Sequence, residues 1–182
     1  MHFSEKYQIE LPHAQVRGTS SSVNLYGMDN VVLENDKSLF VENGVPRSEN
    51  SVAVGSVCGY LIPPFQRPVV WTYEQMSKFI ESIFLGYDLG RIVYVCDFDS
   101  PFDGCIIDGL QRLTAIERFI KDEFTIFDKY TFSSLPRQAQ RRFTRSNDIP
   151  ALRIKNADEQ QLREMYNRMN YGGTAHTENQ RV

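Results

Sequence analysis

Cysteine, histidine and long apolar runs are scarce in this chain. The three cysteines among its 182 residues (Cys58, Cys96, Cys105) have apolar neighbours and no CxxC spacing, which reads as reduced, buried thiols and implies an intracellular protein. The three histidines (His2, His13, His176) lie towards the chain ends, so no zinc site is expected. No apolar stretch approaches the ~18 residues that cross a bilayer and no charged-then-apolar leader opens the sequence, so neither membrane insertion nor export is expected. A surplus of positive charge is missing too. Against 20 Lys and Arg stand 23 Asp and Glu, giving a net charge of −3 and a pI near 5.6, which excludes a generally basic nucleic-acid coat and leaves only local patches.

What is present, at 41% hydrophobic residues, suffices for one ordinary core: an N-terminal arm or cap over residues 1–51 and one α/β domain over 52–182. In the arm, Gly18 to Ser22 reads as a flexible stretch, Val31 to Leu33 as a short strand and Asn43 to Pro46 as a turn. Order improves from Val52. Pro63, Pro64 and Pro68 keep residues 59–71 extended, and Thr72 with Gln75 forms a capping box. Met76, Phe79, Ile80, Ile83 and Phe84 then follow at helical spacing to Gly86, which places a helix over 73–85. Residues 91–98 read as a central strand, and a second strand ends at Ile107. A helix ends near Lys121, a strand pair covers 124–127 and 130–132, and Ser134 caps a further helix with Pro136 in its first turn. Ile149 to Ile154, with Pro150, reads as a strand that starts at a sheet edge, and Asn156 with Glu159 as the cap of a last helix carrying Leu162, Met165, Tyr166 and Met169 on one face.

Chemistry concentrates in three stretches. At Ile107-Asp108-Gly109 a strand turns directly into a helix, which puts Asp108, Gln111 and Arg112 around a helix N-terminus suited to an anion. Asp-Gly is also ordinary cap-and-turn chemistry, and that reading stands beside the first. In the extended stretch, Gln66 and Arg67 lie between Phe65 and Trp71, the only tryptophan; an arginine there suits phosphate oxygens or a surface carboxylate. Gly172-Gly173-Thr174 after the last helix is either a helix C-cap or a turn that offers amides and a hydroxyl to phosphate. Separately, Arg137, Arg141 and Arg145 fall at i, i+4 and i+8 with Arg142 beside them and no carboxylate over 136–147. That stripe is either a solvated face or the one surface of this acidic chain suited to a DNA backbone.

Taken together and in order, residues 62–71, 107–114 and 166–174 resemble the DGQQR-motif domains of the ParB/sulfiredoxin-like superfamily, over about residues 52–178. Such domains stand at the N-terminus of modification-dependent restriction and other phage-defence proteins and also occur as short phage proteins. The resemblance implies an α/β (α+β) fold, a ParB-like mixed sheet with flanking helices, and a nucleotide pocket whose NTP hydrolysis is coupled to DNA recognition or nicking. Carried over by position, Asp108, Gln111 and Arg112 would be the catalytic centre and Asp108 the ligand of Mg²⁺. Gln66, Arg67, Gly109, Arg168, Asn170, Gly172, Gly173 and Thr174 would bind nucleotide phosphates. Arg137, Arg141, Arg142 and Arg145 would meet DNA, and a protein partner would supply a nuclease or effector in the cytoplasm of a bacterial host. Leu110 stands where the family pattern has its first glutamine, which puts the rate of hydrolysis in question. The alternatives are a non-catalytic DNA- or partner-binding module and a DNA-nicking nuclease in which Asp97, Asp99 or Asp103 assists Asp108.

Overall fold

The computed structural model describes residues 16, 18–25, 28–33, 38, 40–42, 45–145 and 148–171. In chain order its elements are β1 (Gly18–Asn24), α1 (Met28–Leu33), β2 (Val41–Glu42), β3 (Val45–Pro46), β4 (Gly55–Val57), β5 (Tyr60–Ile62), α2 (Tyr73–Leu85), β6 (Ile92–Val95), β7 (Ile106–Asp108), α3 (Leu110–Ile120), α4 (Arg137–Arg145), β8 (Asp148–Ile154) and α5 (Glu159–Tyr171). Four of the strands form one sheet in the order β1-β8-β6-β7, with β8 antiparallel to β1 and parallel to β6, and β6 antiparallel to β7. The fold is therefore mixed α+β, as the sequence implies. No helix among the described residues is long and apolar enough to cross a membrane.

Every residue of β6 is buried, which is why its sequence, Ile-Val-Tyr-Val, is apolar on both faces. Against α2 and β4 packs α3, whose Leu113, Ile116, Phe119 and Ile120 are buried at helical spacing. Phe119 is the hub of an aromatic cluster, with the rings of Phe143, Phe124 and Phe132 centred 5.5, 5.7 and 5.8 Å away. The capping box on α2 forms as expected, and Gly86 closes that helix in the left-handed region at φ 76°.

Several expectations are corrected. Gly18 to Ser22 is part of β1, paired residue for residue with β8 from Gly18↔Ile154 to Asn24↔Asp148. Val31 to Leu33 ends helix α1, a segment too short for periodicity to tell helix from strand. β8 lies inside the sheet from Ala151 onward, where β6 joins it, while at Pro150 it pairs with β1 alone, so only its start lies at an edge, as expected. Residues 124–132 form a single bridge, Ile126↔Tyr130, around Phe127 and Asp128, both at positive φ. Ser134 closes a turn with Thr131 instead of capping α4, and α5 is capped by a reciprocal Asp158–Gln161 box, not by Asn156.

The Phe127 turn is held by Glu81 of α2. Its buried carboxylate accepts the Phe127 N–H at 2.7 Å, Lys78 Nζ at 2.9 Å and Ser77 Oγ at 3.4 Å. Burial alone would raise this carboxyl, but the hydrogen bonds from Lys78, Phe127 and Ser77 together hold it below its ordinary value. Because the folded group is the stronger acid, its contribution is complete above the unfolded pKa and fades as pH falls through the folded one. Glu81→Gln should flatten that acid-side loss, measured as denaturation midpoints between about pH 7 and pH 3.

Candidate functional site

The strand-turn-helix at β7 and α3 is built around one glycine. Gly109 sits at φ 111°, and a Cβ there would lie 2.3 Å from Cδ1 of Ile92, so the turn lies directly against β6. Its carbonyl accepts the Leu113 N–H at 3.0 Å, which starts α3 and leaves the preceding first-turn amides outside the helical ladder. Among the described residues no side chain caps the N-terminus of this helix. Across the turn, Arg112 Nη2 meets Asp108 Oδ2 at 2.7 Å and Nη1 donates to the Leu89 carbonyl at 3.0 Å. The arginine side chain is 16% exposed and the carboxylate 30%, so the pair is half withdrawn from water yet reachable from it.

The extended stretch closes on this turn through side chains. Gln111 is buried; its Oε1 accepts the N–H groups of Val70 and Trp71 at 2.9 and 3.1 Å, and its Nε2 donates to the Pro68 carbonyl at 3.2 Å. Gln66 Nε2 reaches the carbonyls of Ile106 and Ile107 on β7 at 2.9 and 3.3 Å. From the other side, the Arg67 N–H donates to the hydroxyl of Tyr166 on α5 at 3.1 Å, while Phe65 packs its ring 5.6 Å from that of Tyr166. α5 itself packs on β7. The three motif stretches thus meet, and the bonds between them are made by residues with defined partners in all three.

The individual residues fare differently. Arg67 is exposed, and its guanidinium has no partner among the described residues. Leu110 is 5% exposed and belongs to the core, so the position where the family pattern carries glutamine faces inward. Arg168 is turned to solvent and paired with Glu164 at 2.6 Å, and Asn170 Nδ2 bonds to its own helix at the Tyr166 carbonyl. Gly172, Gly173 and Thr174 lie outside the described residues. Arg137, Arg141, Arg142 and Arg145 are all exposed on α4, whose Phe143 and Thr144 are buried.

Asp97 and Asp103 are occupied with loop structure. Asp103 Oδ1 accepts the Asp97 N–H at 2.7 Å, and Asp97 Oδ2 accepts the Asn156 N–H at 2.8 Å. Burial, aided by the nearby Asp97 charge, raises the Asp103 carboxyl, although hydrogen bonds from the Asp97 and Gly104 amides oppose this. With Asp99 they line a cleft of about 1170 Å³ whose lining includes none of Arg67, Asp108, Gln111 or Arg112. Among the described residues no group of three or more His, Cys, Asp or Glu is arranged to hold a metal ion. Two contributors escape a reading of the sequence: the Leu89 carbonyl, which no residue type signals, and the Tyr166 hydroxyl, hidden on a face that reads as core.

A family model for the N-terminal domain of the GmrSD restriction endonuclease matches residues 48–180, a span that includes all three motif stretches. No curated protein and no solved structure matches the chain.

Proposed function

Since the chain belongs to the family of GmrSD restriction endonuclease N-terminal domains, we propose that it acts in restriction or phage defence as a nucleotide-binding domain that hydrolyses a nucleoside triphosphate. The observation that supports this reading most directly is Arg67, whose guanidinium has no partner among the described residues, set on a segment that is tied to the Asp108–Arg112 turn at the N-terminus of α3. Phosphate oxygens are met there by the first-turn amides and the positive end of the helix dipole, with Gly109 leaving the backbone open to close approach. Arg67 and Arg112 neutralise the charge that the transferring phosphoryl group spreads over its oxygens. Asp108, whose Oδ1 has no partner among the described residues, holds Mg²⁺ or orients the attacking water with that oxygen.

A Mg²⁺ ion fits this donor set in the way usual for nucleotide sites, with one carboxylate, Asp108, and the nucleotide's own phosphates as ligands. When bound, it adds charge neutralisation at the phosphates. A single open carboxylate oxygen does not suit a two-metal nuclease site, and Asp97, Asp99 and Asp103 line a separate cleft whose lining does not include Asp108. Strand cleavage is therefore assigned to a partner. Phosphate release from one of ATP, GTP, CTP or UTP with Mg²⁺, without nicking of added plasmid, is the expected result. Nicking lost in Asp108→Ala would support the nuclease alternative, and nucleotide binding without turnover the non-catalytic module.

The α4 stripe is proposed as the DNA contact, because its arginines are exposed together while the opposite side of the helix is buried in the core. Replacing Arg137 and Arg141 with alanine should weaken binding to duplex DNA and lower the slope of log K against log salt by about 1–2, close to one phosphate contact per arginine. A slope equal to the wild type would leave the stripe as a solvated face.

A further inference from the structure

Residues 63–71 belong to no strand, yet they carry Arg67, the exposed arginine of the site. A segment outside a sheet has to satisfy its backbone groups elsewhere, and its three prolines bring no N–H of their own. Arg67 is bracketed by what meets that need: the Tyr166 hydroxyl takes its own N–H, while the amide of Gln111 takes the carbonyl of Pro68 and the N–H groups of Val70 and Trp71. Gln111 spends both the acceptor and a donor of its amide on this segment and is 8% exposed. An amide so committed is poorly placed to orient a water or a base. It is well placed to fix a backbone.

We infer that Gln111 is a positioning residue: it clamps the segment 68–71, whose hydrogen bonds among the described residues all go to Gln111, to α3 and so holds Arg67 in place for a ligand phosphate. This rests on the nucleotide reading above and assigns the middle of the motif a mechanical role. Asp108 and Arg112 flank the turn, Leu110 faces the core, and Gln111 supports Arg67 from beneath. An arginine presented from a fixed backbone loses less freedom on binding than one on a mobile loop, so the clamp acts on affinity.

The test uses Gln111→Met, which keeps the volume and removes the hydrogen bonds, in the full chain. Amide hydrogen exchange at Val70 and Trp71 should quicken at least about tenfold while β6 amides keep their protection. Titrated with Mg²⁺ complexes of ATP, GTP, CTP and UTP, the variant should show KM for the active nucleotide raised about tenfold and kcat lowered far less. In an Arg67→Ala background the same substitution should have little further effect on KM, since Gln111 acts through that arginine. Tyr166→Phe, which releases the other side of Arg67, should raise KM in the same manner and serves if Gln111→Met does not fold.

Unchanged exchange at Val70 and Trp71 overturns the clamp. A fall in kcat at constant KM, or full additivity with Arg67→Ala, makes Gln111 catalytic and overturns the inference. Quickened exchange in a chain whose wild type binds none of the four nucleotides overturns the nucleotide reading instead.

Discussion

Gly109→Ala is expected to destabilise the protein by about 3–4 kcal/mol, through two causes that act together. The backbone stands at φ 111°, outside even the left-handed region that other residues visit. The new Cβ would also lie 2.3 Å from Cδ1 of Ile92, a fully buried residue in the middle of the sheet, so either that side chain or the turn has to shift within a packed core. Gly86→Ala isolates the first cause. There φ is 76° and nothing stands within 4 Å, so only the backbone cost of about 1–2 kcal/mol should appear. Denaturant midpoints for the two variants, at equal slopes, give the comparison. Equal small losses would mean that the turn relaxes away from β6 and that its close approach is not required by the fold.

Arg112→Ala should have the largest effect on activity. The guanidinium bridges the Asp108 carboxylate and the Leu89 carbonyl, so removing it unfastens the turn from the loop before β6 and leaves a half-buried carboxylate alone. Water reaches Asp108 at 30% exposure, so the loss of stability should stay near 1–2 kcal/mol. Turnover should fall by roughly 10³-fold, the usual scale for an arginine that meets a transferring phosphoryl group. Arg112→Lys is the informative companion. It restores the charge but not the planar fork, and a point ammonium cannot hold both Asp108 and Leu89, so it should recover stability in part and turnover poorly. Full recovery of turnover by lysine would show that charge alone is needed there.

How far the sequence is readable follows from where each signal resides. α2 is legible to the residue because its start, its buried face and its end are all local: Thr72 with Gln75, the spacing of Met76, Ile80 and Ile83, and Gly86. The Asp108-Gly109 turn is legible for the same reason. β1 is not, because Gly-Thr-Ser-Ser-Ser carries no alternation, and its pairing is set by the backbone of β8, more than a hundred residues away. The cap of α5 shows local ambiguity settled at long range. Asn156 with Glu159 and Asp158 with Gln161 are both plausible boxes, and the Asn156 amide is taken by Asp97. At the site, the residue types that suit phosphate are visible in the chain, whereas the partners that hold them are not. That Gln111 bonds to Pro68, Val70 and Trp71 depends on how an irregular segment lies over α3, which no spacing rule describes.

Arg67 provides the most direct test of the central claim, because its side chain has no partner among the described residues and its removal should leave the fold unchanged. The measurement is the thermal transition of the wild type and of Arg67→Ala, with and without millimolar ATP, GTP, CTP or UTP in the presence of Mg²⁺. A ligand at about a hundred times its Kd adds about 2.7 kcal/mol to native stability, well within what a thermal shift detects. The account predicts a rise with at least one nucleotide in the wild type, and a variant that melts normally without ligand but shows little or none of that rise. A wild type indifferent to all four nucleotides, or a rise that survives in Arg67→Ala, would contradict it.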